Sequence, residues 1–210
     1  MPDFVSPGGH RFYSVGLIER VSSPLVESAR VWVLPANAPP LPKELYHANS
    51  AVFLTRLNQL SQDFKDYKAM NEIAPLVVAI AGEIGNNSFD HNLGNWPDVP
   101  GIFFDYDLKR RQLVLADRGQ GVLQTLKRVR PSLRTAEEAL HVAFTQSISG
   151  RAPEKRGNGL KFVRTVVTER AFGLMFQSKN AQLTIDRSTN KMELQTVSDP
   201  IHGTLAVLHF

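Results

Sequence analysis

An α/β fold, with helices packed against a mixed β-sheet, is what this 210-residue sequence predicts. Three observations carry the prediction. Two stretches, about 48–66 and 71–92, repeat apolar residues at helical spacing. A strand pair joined by a short polar turn follows at 101–117. The chain then ends in four β-like runs, GLMFQSK, AQLTIDR, KMELQTV and GTLAVLHF. Strands gathered at the end fit a mixed sheet better than a strictly alternating, doubly wound one.

Composition narrows the class. With 42% hydrophobic and 21% charged residues the chain is ordinary for a globular protein, and it is long enough for one substantial core or one domain with an appendage. A net charge of +4 is too mild to require nucleic acid as a partner. The absence of cysteine removes disulfides, thiolate nucleophiles and thiolate metal sites. The most apolar run, IAPLVVAIAGEIG, is shorter than the roughly 18 residues of a membrane span and is interrupted by Glu83. The N-terminal MPDFVSPGGHRFYS lacks the basic-then-apolar order of a secretory signal. A soluble, cytoplasmic protein without a membrane partner is expected.

The elements follow in order. Residues 1–45 form a proline-punctuated extension, in which VSSPLVES and LPANAPPLPKEL read as irregular and ARVWVL (29–34) as a short strand. A domain spanning 46–210 follows. Its first helix carries Val52, Phe53, Leu57 and Leu60, and its second carries Ile73, Leu76, Val77, Ile80, Ala81 and Ile84 on one broad face. GIFFDYD (101–107) and RRQLVLAD (110–117) pair through the polar LK turn. After the glycines come a short helix, a stop at Pro131, and a helix opened by a capping box of Thr135 and Glu138. TQSISGRAPEKRGNG is a long, polar, basic loop, and LKFVRTVVTERAF (160–172) returns to helix.

Three groups of residues carry chemistry. Glu83, Asn87 and His91, spaced by four, lie along one helix face, offset from the apolar stripe. Alone, such a line fits a solvated edge as well as a site. LADRGQG (115–121) ends a strand on Asp117 and then removes side chains at Gly119 and Gly121, while RGNGL (156–160) opens a helix about forty residues later. Each glycine pair alone is common in turns and caps. Together they give an acid at a strand end, a glycine turn, a basic loop and a second glycine turn at a helix start. That is the order a nucleotide site requires, because glycine lets backbone N–H groups approach phosphate and a helix N-terminus favours negative charge. The Gly-x-x-x-x-Gly-Lys-Ser/Thr string of a P-loop occurs nowhere in the sequence.

The set Glu83-x-x-x-Asn87-x-x-x-His91, Asp117-x-Gly119-x-Gly121 and Gly157-x-Gly159-Leu160, in order over about residues 50–210, resembles the three boxes of the GHKL ATPase superfamily. DNA gyrase, heat-shock chaperone ATPases, sensor histidine kinases and the MutL proteins belong to it. The resemblance implies a Bergerat fold, a two-layer α/β sandwich with helices on one face of a mixed sheet. It implies a site for ATP and Mg²⁺. Asp117 accepts from the adenine amine, Gly119 and Gly121 leave room for the purine with Val122 following, and Asn87 holds Mg²⁺. Gly157, Asn158, Gly159 and Leu160 cradle phosphate, and Lys155, Arg156 and Arg151 neutralise it from a lid spanning about 122–156. Glu83 becomes the general base, and His91 a phosphate contact or a partner that polarises Glu83. Glutamate at that position with histidine at the third occurs in anti-sigma-factor kinases and one branch of histidine kinases, so the resemblance is nearest to those and to orphan stand-alone members.

Two functions stay open on this basis. One is transfer of the γ-phosphoryl to a Ser, Thr or His of a partner protein (STAS-like or sigma-factor-like), or to water. The other is a nucleotide-gated interaction switch with negligible turnover. A homodimer is compatible with both. A gyrase-like or MutL-like nucleic-acid role ranks last, since no transducer domain is recognised. None of His10, His47, His141, His202 or His209 has the context of a phospho-accepting histidine; His47 is expected at a helix start, without an adjacent acid.

Overall fold

The computed structural model describes residues 23–147 and 159–210. The expected phosphate-side residues Arg151, Lys155, Arg156, Gly157 and Asn158 lie outside the described residues.

The first described element corrects the sequence expectation. Residues Pro24–Val33 form a helix, α1, not a strand at 29–34 preceded by irregular chain. Ser23 caps it, its Oγ accepting from the Val26 N–H at 3.2 Å, and Pro24 stands in the first turn, where its missing N–H costs nothing. The proline that looked like a breaker is a helix start. Val26, Ala29, Trp32 and Val33 then recur at helical spacing and are buried.

The short strand β1 (Tyr46–His47) places His47 in the sheet, and not at a helix start. Helix α2 (Ser50–Asp63) is capped by Asn49, whose side chain accepts from the Val52 N–H at 3.0 Å. Helix α3 (Ala74–Asn92) opens with Pro75 in its first turn. Strands β2 (Ile102–Asp107) and β3 (Gln112–Asp117) pair from Ile102↔Asp117 to Asp107↔Gln112. Their turn is four residues long, 108–111, rather than the expected two: Leu108 is buried and Arg111 takes a left-handed φ of 51°. Helix α4 (Val122–Lys127) follows the glycines, and α5 (Ala136–Thr145) carries the expected capping box of Thr135 and Glu138. Helix α6 (Gly159–Glu169) leads into β4 (Gly173–Ser178), β5 (Ala181–Ile185), β6 (Met192–Thr196) and β7 (Thr204–His209).

The seven strands form one sheet in the order β1-β2-β3-β7-β4-β5-β6, and every neighbouring pair is antiparallel. This corrects the mixed sheet. Short turns join β4 to β5 and β5 to β6, and such turns can only reverse the chain. Strand β7 inserts between β3 and β4, so Asp117 and Ser178 both lie opposite Thr204.

Alternation along the strands makes two cores. On one face Phe104, Leu113, Leu115, Phe176 and Leu208 pack against Phe53, Leu57, Val77, Ile80 and Ile84 of α2 and α3. On the other, Phe103, Val114, Met175, Leu205 and Val207 pack against Val26, Trp32 and Val33 of α1. Helices therefore cover both faces, which corrects the one-sided sandwich. Burial of a side chain the size of Trp32 or Val33 contributes about 1.5–3 kcal/mol, enough to hold α1 on the sheet. Residues 122–147 of the expected lid are packed as well: Leu140 and Phe144 of α5 belong to the first core, and Leu126, Leu133, Ala139 and Val142 form a small core of their own. Among the described residues no helix is long and apolar enough to cross a membrane.

Candidate functional site

Asp117 ends β3 and is only 2% exposed. Its Oδ2 accepts from Ser88 Oγ of α3 at 2.8 Å and from Thr204 Oγ1 of β7 at 2.5 Å, and its Oδ1 accepts from the Gly119 N–H at 2.7 Å. Burial pushes the carboxyl above the ordinary range, against the pull of those three donors and the charge of Lys179. A carboxylate offers about four acceptor positions, and three are taken.

Backbone closes over this acid from two sides. Gly203, at φ 66°, lies so close that a Cβ there would meet the Asp117 carbonyl and Oδ1, and the Gly119 nitrogen at 2.6 Å. Gly119 lies equally close to Asn92, whose Cγ would be 2.5 Å from an added Cβ. Asn92 is buried and fixed: Oδ1 accepts from the Gln120 N–H and Nδ2 donates to the Ser88 carbonyl, both at 2.8 Å. Gly121 takes φ 79° and starts α4, with Ser178 Oγ accepting from the Val122 N–H at 3.0 Å. The glycines of the first box are thus required by close approach to α3 and by a left-handed turn.

Arg118, between Asp117 and Gly119, points the other way. It is fully buried, donating to the carbonyls of Trp32 (2.5 Å), Pro35 and Ala36 (both 2.9 Å) and pairing with Asp98. It ties the end of α1 to the turn that carries Asp117.

The second glycine box meets the same helix. A Cβ at Gly159 would lie 2.6 Å from Glu83 Oε2 and 3.2 Å from Asn87 Nδ2, so the start of α6 rests on the polar line of α3. Glu83 is exposed and Asn87 half-buried. His91, one turn further, is half-buried; burial first, then Arg128, lowers its proton affinity and favours the neutral imidazole. Its carbonyl accepts from Gln120 Nε2 at 3.2 Å. Leu160 and Val122 pack at the margin of the first core.

The structure therefore brings Glu83, Asn87 and Gly159 together, and Asp117, Gly119, Gly121 and Val122 together, both groups along α3. His91 lies two turns, about 12 Å, from Glu83 along α3. Among the described residues no three His, Asp or Glu side chains gather as a metal site. Sequence reasoning missed Ser88, Asn92, Ser178, Gly203 and Thr204. Ser88 and Asn92 repeat the four-residue spacing one position along from Asn87 and His91, and Gly203-Thr204 opens a strand; both signals were present in the sequence. No protein-family model matches the chain, and no curated protein matches it.

Proposed function

We propose that this chain binds an adenine nucleotide with Mg²⁺ along α3, the base at Asp117 and the phosphates at the start of α6, and uses Glu83 to pass the γ-phosphoryl to a partner protein or to water. The observation that carries the proposal is that the first glycine turn and the glycine that opens α6, forty residues apart in sequence, rest on one helix, Gly119 against Asn92 and Gly159 against Glu83 and Asn87. Between those ends α3 advances about 13 Å, room for a nucleoside and its phosphates. On this proposal the fold is a variant of the Bergerat-type sandwich, with an antiparallel sheet in place of the mixed one and α1 as an added layer.

The residues suit the group. The unfilled acceptor position of Asp117 fits an exocyclic amine. The first N–H groups of α6 have no partner within the helix and favour anionic oxygen, and Gly159 lets the start of α6 approach Glu83 and Asn87. Asn87 offers the oxygen that Mg²⁺ takes beside phosphate and water. When bound, Mg²⁺ supplies charge neutralisation at the phosphates. Glu83, exposed beside Asn87, orients the attacking hydroxyl, imidazole or water and takes its proton where it has one to lose. Catalysis then comes mostly from positioning and electrostatics.

The switch alternative is favoured by one observation. Leu93, 79% exposed, directly follows the Asn92 that touches Gly119, so a ligand at the turn acts next to an apolar surface. Glu83→Ala discriminates. The enzyme proposal expects unchanged ATP affinity and loss of phosphate release or transfer. Phosphate chemistry that is unaffected by the substitution, or absent from wild type, contradicts it.

A further inference from the structure

The C-terminal end of α1 is bonded to both backbone segments that close over Asp117. The last carbonyls of a helix find no partner inside it. Here Arg118, the residue after Asp117, donates to the Trp32 carbonyl at 2.5 Å and to those of Pro35 and Ala36, just past the helix, at 2.9 Å. The backbone N–H of His202, the residue before Gly203, donates to the Val33 carbonyl at 2.9 Å. Gly203 in turn lies against the Asp117 carbonyl and Oδ1. Helix α1 packs on the sheet face opposite α3, so these bonds pass round the ends of β3 and β7 and join the far layer to the candidate site.

We infer that α1 is a regulatory strap: its docking on the far face and nucleotide binding at Asp117 form one coupled equilibrium, each strengthening the other. This rests on the proposed nucleotide site. Arg118 makes the coupling discrete. Its guanidinium is fully buried, paired with Asp98, and cannot shed its proton. If α1 lifts, three carbonyl acceptors leave with it, and a buried cation stripped of acceptors does not stay in place. Arg118 stands between Asp117 and Gly119, so its departure pulls on the turn. The bonds at risk are Gly119 N–H to Asp117 Oδ1 at 2.7 Å and Gln120 N–H to Asn92 Oδ1 at 2.8 Å. On the other flank, loss of the His202 bond releases the segment that carries Gly203 over the acid. By linkage, whatever loosens α1 weakens the nucleotide by the factor by which the nucleotide tightens α1, and such couplings are typically about 5- to 150-fold.

The test follows amide hydrogen exchange by NMR in wild type, V26A and I185A. Val26 is buried where α1 meets the sheet, near the end of the helix remote from Asp117; Ile185 is buried in the opposite core, at the end of β5, and serves as the cavity control. In ligand-free V26A, exchange at Gly119, Gln120 and His202 should quicken about tenfold together with α1, while I185A leaves these amides near their wild-type rates. Quickening of α1 alone in V26A, or the same quickening in both variants, overturns the strap. In wild type, Mg²⁺ and ATP at about 100 times Kd should slow exchange across α1 about tenfold or more and leave the edge strand β6 unchanged. ATP that binds without protecting α1, or that protects α1 and β6 alike, overturns the coupling alone. A wild type that binds no adenine nucleotide overturns the site and the coupling together.

Discussion

A methyl group at Gly203 tests how the floor of the site is built. The residue has φ 66°, and a Cβ there would press on the Asp117 carbonyl and Oδ1 and come within 2.6 Å of the Gly119 nitrogen, inside the 3.0 Å that such atoms do not cross. Two of these three neighbours are backbone atoms, and the third belongs to a buried side chain with fixed hydrogen bonds. Holding alanine in the left-handed region costs about 1 kcal/mol, and forcing the strands apart adds about 1–3 kcal/mol. For a chain of this size a loss of about 2–4 kcal/mol lowers Tm by about 5–15 °C. Gly94 is the control: φ is 70° there too, yet no atom lies within 4 Å of a Cβ, so G94A should cost only the backbone term, about 2–4 °C. Thermal and urea unfolding followed by circular dichroism measure both. A G203A melt no lower than that of G94A refutes the close approach of β7 to the Asp117 turn.

Three further outcomes follow from the same geometry. G119A should destabilise strongly in wild type but weakly in an N92A background, because the added methyl meets Asn92, giving a coupling of about 1–3 kcal/mol in a double-mutant cycle; additive effects contradict the contact. R118M should cost about 3–5 kcal/mol and red-shift tryptophan emission, since it strips the carbonyls at the end of α1 of their donor beside buried Trp32; an unchanged melt and spectrum would count against the clamp. Asp186 accepts from Ser188 and Thr189, and the Ser188 hydroxyl and Thr189 N–H lead in holding its carboxyl at about 2, below the ordinary 3.8. A lowered acid stabilises the fold above its unfolded value and loses that contribution as pH falls. The Tm difference between wild type and D186N should therefore be full above about pH 5, shrink as pH falls, and vanish only below about pH 2. A difference independent of pH removes the carboxylate from the turn.

What the sequence made legible was local. The four-residue spacing of Glu83, Asn87 and His91, the Thr135–Glu138 capping box, and the strands ending at Asp117 and Ser178 all follow from period and cap chemistry. Helix α1 was hidden because Pro24 serves equally as a breaker and as a helix start, and only Ser23 before it and buried Trp32 after it decide which. The sheet order was hidden for a different reason. Nothing near Thr204 in the chain says that β7 will slide between β3 and β4, yet that insertion delivers Thr204, Gly203 and Ser178 to Asp117. Arg118 looked like the variable position of a glycine turn, and only the packing of α1 on the far face turns it into a buried anchor.

Calorimetric titration of ATP with Mg²⁺ into wild type and D117N tests the central claim most directly. Asparagine keeps the size of the side chain but offers an amide where an anionic acceptor stood, and a hydrogen bond to a charged group contributes about 1.5–3 kcal/mol. Single-site binding to wild type is expected, weakened about 10- to 100-fold in a folded D117N. No binding heat with wild type, or equal affinities in the two proteins, contradicts the assignment of Asp117 to the base.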